Sequence, residues 1–150
     1  MTAQQMWAEY IQMHPEAAGE EMDAWCYGSD AADELAELTA RGIKTATASA
    51  YPIYAMEGEE LPKAGTYSGL LRTDETAVCI IRTSRVYVVP FREVSPEHAW
   101  REGEGDRSLA YWRKVHEEFF TWDMDQAGSA FSEDMDVVCE EFSVVYPSIL

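Results

Sequence analysis

The sequence has no lysine or arginine before residue 41 and none after residue 114. Each of those flanks carries nine acids, while all eleven bases sit with ten acids in the middle, giving a formal net charge of −17. Such a chain excludes duplex DNA as a natural partner, because affinity for DNA comes mostly from neutralising phosphates. Acidic flanks are first of all a solubilising device, but they also leave the near-neutral middle as the place for a local site. Cysteine is scarce too: Cys26, Cys79 and Cys139 stand far apart with no CxxC. That excludes a disulfide framework or zinc knuckle and fits a reducing, cytoplasmic compartment. No run approaches the roughly 18 apolar residues of a membrane-spanning helix. The opening MTAQQMWAEYIQMH lacks the basic start and apolar stretch of a secretory signal.

What remains is 150 residues, 47% hydrophobic and 26% charged. That suffices for one domain, taken as 1–150, whose core needs neither metal nor disulfide. Residues 2–14 place Met6, Trp7, Tyr10, Ile11 and Met13 on a helical stripe that Pro15 and Gly19 terminate. Residues 1–24 thus read as a helical extension ahead of a 25–147 core. Met22 to Gly28 reads as an edge strand or ordered loop. Asp30 is placed to cap a helix carrying Ala31, Leu35 and Leu38 inward, with Gly42 as its stop. From Thr45 the period changes to two, and Tyr51-Pro52 interrupts that strand. Leu61 to Gly65 is a turn. Three β-rich runs follow at 66–71, 76–82 and 84–91. Ser95-Pro96 starts a short helix bearing His98, Trp100 and Glu102. A longer helix after Gly103-Glu-Gly105 has the expected core stripe Leu109, Trp112, Val115, Phe119 and Trp122. An acidic loop from Asp123 to Asp136 leads to a last strand, Val137 to Tyr146. Helices, clustered strands, a helical interruption and a returning strand predict an α+β fold, a small mostly antiparallel barrel flanked by helices.

Several chemistries are absent. Gly42-Ile43-Lys44-Thr45 is not a phosphate-binding Walker loop, Gly103-Glu-Gly105 lacks the third glycine of a dinucleotide fingerprint, and no HExxH occurs. His98 and Glu102 stand i, i+4, a spacing that serves a metal with a third ligand but more simply makes a helix-surface hydrogen bond. No metal ligand is therefore assigned. Lys44 follows a helix end and a glycine, where it serves the helix dipole. As a catalytic amine it must be partly neutral. Moving it from 10.4 toward 7–8 takes roughly 4 kcal/mol of desolvation or repulsion, part of which Arg41 could supply. The glycine-flanked segment 98–108 is either a solvated hinge or an ordered site loop, with Glu102 as acid or base and Arg107 and Ser108 as ligand contacts. Glu140 shares a strand face with Val138, Phe142 and Val144, where it must be paired or protonated. A structural partnership with Lys44 or an arginine is the expectation. Trp25, Tyr51, Tyr54 and Trp100 are candidates for base stacking, though aromatics at such spacings are most often core.

Together these segments resemble the ASCH-domain family, whose barrel is similar to the PUA fold of RNA-modifying proteins. The carriers are Gly42-Ile-Lys-Thr-Ala-Thr47, Leu61-Pro-Lys-Ala-Gly65, Val89-Pro-Phe-Arg-Glu-Val94, Glu102-Gly-Glu-Gly-Asp-Arg-Ser-Leu-Ala-Tyr-Trp-Arg113 with His116, Phe119 and Phe120, and Val137-Val-Cys-Glu-Glu-Phe. The resemblance implies a cleft for a nucleobase, a nucleoside or short single-stranded RNA. In some relatives a lysine and threonine in G-x-K-x-x-T, with a later glutamate, deacylate N4-acetylcytidine; here those positions are Lys44, Thr47 and Glu102. Backbone amides at the Gly42 turn would then stabilise the oxyanion. Arg41, Tyr51, Trp100, Arg107 and Ser108 are the expected substrate contacts, and no cofactor is implied. The rival implication is a single-strand ribonuclease using a divalent metal, with Lys44 and Arg107 on phosphate. The third is a non-enzymatic RNA- or nucleoside-binding module.

Overall fold

The computed structural model describes residues 1–147. Thr2 and Gln5 form a capping box at the start of α1 (Ala3–Met13). Its Ala3, Met6 and Tyr10 pack on Tyr67 and Ile80 of the sheet. Met13, at the end of the predicted stripe, is exposed. Strand β1 (Met22–Cys26) is an edge strand, parallel to β3 (Tyr67–Leu71). The remaining pairings are antiparallel: β3 with β4 (Ala77–Pro90), β4 with β5 (Asp136–Tyr146), and β5 with β2 (Ala46–Ala50). Among the described residues this is one five-stranded sheet, ordered β1-β3-β4-β5-β2 and curled into a half-barrel. The α+β reading of the sequence holds.

Four further helices cover the sheet: α2 (Ala32–Ala40), α3 (Tyr51–Glu57), α4 (Pro96–Glu102) and α5 (Leu109–Gln126). Helices α4 and α5 close a core of Phe91, Trp112, Phe120, Val137 and Cys139 on one face. Helix α2 covers Tyr27, Leu70, Cys79, Ile81 and Phe142 on the other. Each such fully buried large side chain contributes roughly 1.5–3 kcal/mol. All three cysteines are free thiols, and burial pushes Cys79 up to about 12.

Four local expectations are corrected. Asp30 does not cap α2; Ala31 holds the N-cap position with no side-chain bond. Tyr51-Pro52 does not merely break β2 but opens α3, since proline fits a first helical turn. The runs at 76–82 and 84–91 are one strand, with the polar break at Ser84 absorbed as a bulge between Thr83 and Arg85. The buried row of α5 is Trp112, His116, Phe120 and Met124, and Trp122 is 56% exposed. The helix is turned from its most apolar stripe because His116 belongs to a buried polar cluster.

Candidate functional site

Two chain reversals are packed against each other. After Arg41 caps α2, Gly42 takes φ 76° and the amides of Ile43 and Lys44 both donate to Leu38 O. Those amides are therefore occupied, and the expected oxyanion hole at this turn is not available. Helix α4 begins with the Ser95 hydroxyl accepting from His98 N at 3.1 Å and ends at Gly103, φ 71°. A Cβ on Gly103 would lie 2.7 Å from Ile43 O, so only glycine lets the two reversals meet. The loop beyond is equally ordered: a Cβ on Gly105 would meet the Tyr111 ring at 2.5 Å. It is not a solvated hinge.

This contact brings together two residues 58 apart in sequence. Lys44 Nζ donates to Glu102 Oε1 at 2.9 Å and to Glu104 Oε2 at 3.0 Å. Lys44 and Glu102 are each 1% exposed. Glu102 Oε2 accepts from His98 Nε2 at 2.7 Å and Trp112 Nε1 at 2.6 Å. The expected His98–Glu102 bond exists, but in the interior rather than on the helix surface. With His98 Nε2 donating, its Nδ1 is left to accept from the Tyr87 hydroxyl at 3.4 Å. His116 donates from Nδ1 to Trp112 O at 2.9 Å, and its Nε2 lies 3.5 Å from Glu102 Oε1. Both nitrogens thus face acceptors, which suits an imidazolium.

Burial works against the charge of each group here, yet their mutual attraction prevails. Glu102 is held well below the usual carboxylate range by Lys44 and His116. His116 is raised by Glu102, and Lys44 is raised by Glu102, Tyr27 and Glu104. Groups of opposite charge type thus face one another, with every buried polar atom bonded, which is the condition under which such a cluster survives burial. The neutral Lys44 required of a catalytic amine is therefore corrected: the residue is a buried ammonium. Ligand atoms of Glu102, Glu104 and His116 all lie within 4.8 Å of one another, the arrangement of a cation site. The Lys44 ammonium already bonds both carboxylates, so a metal there must displace it.

Thr47 lies elsewhere. It is paired across the sheet with Glu140, so both side chains leave the same face, into a cleft of ≈ 1020 Å³. Trp25, Tyr27, Tyr54 and Phe119 supply its aromatic surface; Ser49 donates to or accepts from Tyr54 Oη at 2.8 Å. Tyr27 links the two places, since Lys44 Nζ sits 5.4 Å from the centre of its ring. Glu21, Asp23, Glu59, Glu60, Asp123 and Glu140 line the cleft against one cation, Lys63. Burial first, and the charge of Asp23 second, push Glu140 up to about 7. The expected partnership of Glu140 with Lys44 or an arginine is not formed; among the described residues it has no ion pair.

The structure brings Lys44 and Glu102 together, and sets Thr47 in the cleft. It does not bring the expected substrate contacts there. Arg41 is exposed at the end of α2, and Tyr51 is 40% exposed on α3 while Tyr54 faces the cleft. Trp100 is 58% exposed and stacks under the Arg107 guanidinium at 3.6 Å. Arg107 also donates to Trp100 O at 2.9 Å, and Ser108 caps α5 by accepting from Tyr111 N at 3.1 Å. These three order the loop; none lines the cleft. His116 and Glu104 went unassigned, although their i, i+14 and i, i+2 relation to Glu102 around two glycines was visible.

A curled, largely antiparallel sheet with flanking helices is a PUA-like fold. Residues 23–146 match the family model of the ASCH domain. The chain belongs to the ASCH-domain family, and so to a group of PUA-like modules that bind RNA or nucleobases. An ASCH domain from Lactobacillus crispatus JV V101 is 32% identical over 96% of this chain and 94% of its own, with a TM-score of 0.91. Protein EF3133 from Enterococcus faecalis V583 is 34% identical over 95% of this chain and 87% of its own, at 0.84. The hypothetical protein PH0355, 16% identical at 0.52 over 83% of this chain and 97% of its own, shares the fold. No curated protein matches the chain.

Proposed function

We propose that this ASCH module recognises an uncharged nucleoside of the cytidine type, including its N4-acylated forms, in the cleft faced by Thr47 and Glu140. The supporting observation is the lining itself: aromatic walls suited to stacking a base, within a ring of six acids and one lysine. An RNA strand brings one phosphate per nucleotide, and binding draws on the release of counterions by lysine and arginine. This cleft offers almost none, which favours a free nucleoside over single-stranded RNA and speaks against ribonuclease action there. Calorimetric titration of cytidine, N4-acetylcytidine and a short oligoribonucleotide tests the reading. Nucleoside binding is expected to be nearly insensitive to salt and tighter than oligonucleotide binding. Tighter RNA binding with a steep salt slope refutes it.

Hydrolysis of the N4-acyl amide is the second reading, favoured by the Lys44–Glu102 contact and the cleft-facing Thr47. Lys44 enters this reaction as an ammonium, not as the nucleophile. A water attacks the acyl carbon, or the Thr47 hydroxyl does so first. In both cases the departing exocyclic amine takes up the proton that the nucleophile releases. Where Thr47 attacks, a water then cleaves the acyl-threonine ester, releasing the acid and restoring the hydroxyl. Lys44 and Glu102 set the field in which that proton moves. Thr47→Val keeps the strand packing and removes the hydroxyl, so deacylation is expected to fall at least about a hundredfold if Thr47 attacks. Wild-type turnover by Thr47→Val assigns the attack to water.

A further inference from the structure

We infer that Glu140 selects the base in this cleft, its carboxyl pairing with a base edge that offers one acceptor beside one donor. The inference rests on the nucleoside reading above and assigns the residue that would give it specificity.

Glu140 stands directly across from Thr47 on the neighbouring strand, and Val86 is its partner on the other side. Among the described residues its carboxyl takes no hydrogen bond, and no fully buried side-chain oxygen lacks a partner. Its oxygens therefore open into the cleft, beside Trp25 and Tyr54. The charged groups lining the cleft with it are Glu21, Asp23, Glu59, Glu60, Asp123 and Lys63. Of these Asp23 acts on it, and Glu140 in turn acts on the Tyr54 hydroxyl of α3. Asp23 is engaged by the Ser68 hydroxyl and Tyr54 by Ser49, so neither is as available to a ligand as Glu140. On β4 the facing residue, Val86, is uncharged.

Burial and the Asp23 charge raise Glu140 to about 7, so its protonated form is well populated at neutral pH. A protonated carboxyl presents an O–H donor beside a carbonyl acceptor. That pattern complements N3 and the N4–H of cytosine, an edge that N4-acylation keeps. It also complements N1 and N6–H of adenine. The ionised carboxylate only accepts, and complements the paired N–H donors of guanine. Base preference in this cleft is thus set by one proton.

Titrate cytidine and guanosine into the wild type, Glu140→Gln and Asp23→Asn at pH 5.5 and 8.5 by calorimetry, with folding checked by circular dichroism. With Glu140 titrating near 7, wild-type affinity for cytidine is expected to fall roughly thirtyfold between the two pH values, and guanosine to gain. Glutamine keeps the donor–acceptor pair at every pH, so Glu140→Gln should bind cytidine with a flat profile. Asp23→Asn removes the neighbouring charge and should move the midpoint of the profile downward. A pH-independent wild type, or a glutamine variant with the same slope, overturns the assignment. Binding of neither nucleoside by the wild type overturns the nucleoside reading, and this inference with it.

Discussion

Replacing Lys44 by methionine tests the buried cluster most directly. Methionine fills nearly the same volume, so the change removes charge rather than packing. It leaves Glu102, 1% exposed, facing Glu104 with no ammonium between them. Removing one partner of a buried pair costs about 3–5 kcal/mol, because the remaining charge cannot be solvated. Three donors soften the loss: His98 and Trp112 still bond Oε2, and His116 remains near Oε1. Glu104, 18% exposed, can also turn toward water. The expected loss is therefore at the lower end, about 3 kcal/mol, measured as the change in urea unfolding free energy at pH 7. The surface pair Arg72–Glu37, 40% and 56% exposed, is the control, and Arg72→Ala should cost at most about 1 kcal/mol. Glu102→Gln combined with Lys44→Met should restore part of the loss. A Lys44→Met protein within about 1 kcal/mol of wild type refutes the claim that this ammonium is confined and charged.

The pH profile should show the same cluster. Glu102 is depressed in the folded chain, so its contribution is present above its ordinary 4.5 and is lost as acid carries the pH down through its folded value, visible as acid unfolding by fluorescence. Glu140 has the opposite sign: raised from 4.5 to about 7, it lowers stability as pH climbs through that interval. That interval corresponds to up to roughly 3 kcal/mol, less what water in the cleft screens, and Glu140→Gln should flatten the slope in urea melts. Gly103→Ala should cost about 2–4 kcal/mol because the left-handed backbone is strained and the Cβ meets Ile43 O, whereas Gly58→Ala, at φ 68° with open space around it, should cost about 1. Equal losses at both glycines in thermal melts would remove the close approach from the account. Trp100→Ala breaks the Arg107 stack at an exposed site and should cost about 1 kcal/mol or less while leaving nucleoside affinity unchanged.

The α+β class and most element positions were legible because period, caps and turn residues act locally. Ser95-Pro96 started a helix as read, and the last strand ran to Tyr146 as read. The bulge at Thr83–Arg85 was not legible, since a polar residue on a long strand and a polar turn look alike until the partner strand is known. The face of α5 was misjudged for a different reason. Its apolar count favours Val115 and Trp122, but a distant carboxylate, Glu102, draws in His116 and Trp112. Lys44 and Glu102 were found by motif, and their contact was not, because no spacing rule joins residues 58 apart. The charge of Lys44 is held chiefly by Glu102, with Glu104, the residue after Gly103, adding to it, and neither contact is readable without the fold. Arg107 and Trp100, candidates for ligand contact, stack on each other instead.

Strand β5 lies in the interior of the sheet although it is the last described strand of the chain. It alone joins β2, with Thr47, to β4 and the rest. Until residues 136–146 dock, the segment 46–50 has no strand to pair with, and β4 presents an open edge fourteen residues long. An unpaired edge of that length invites association with other chains. Shortening the polypeptide by this one strand would split the molecule through its centre and take away one wall of the pocket. Assembly of the binding surface is thereby tied to completion of the whole domain.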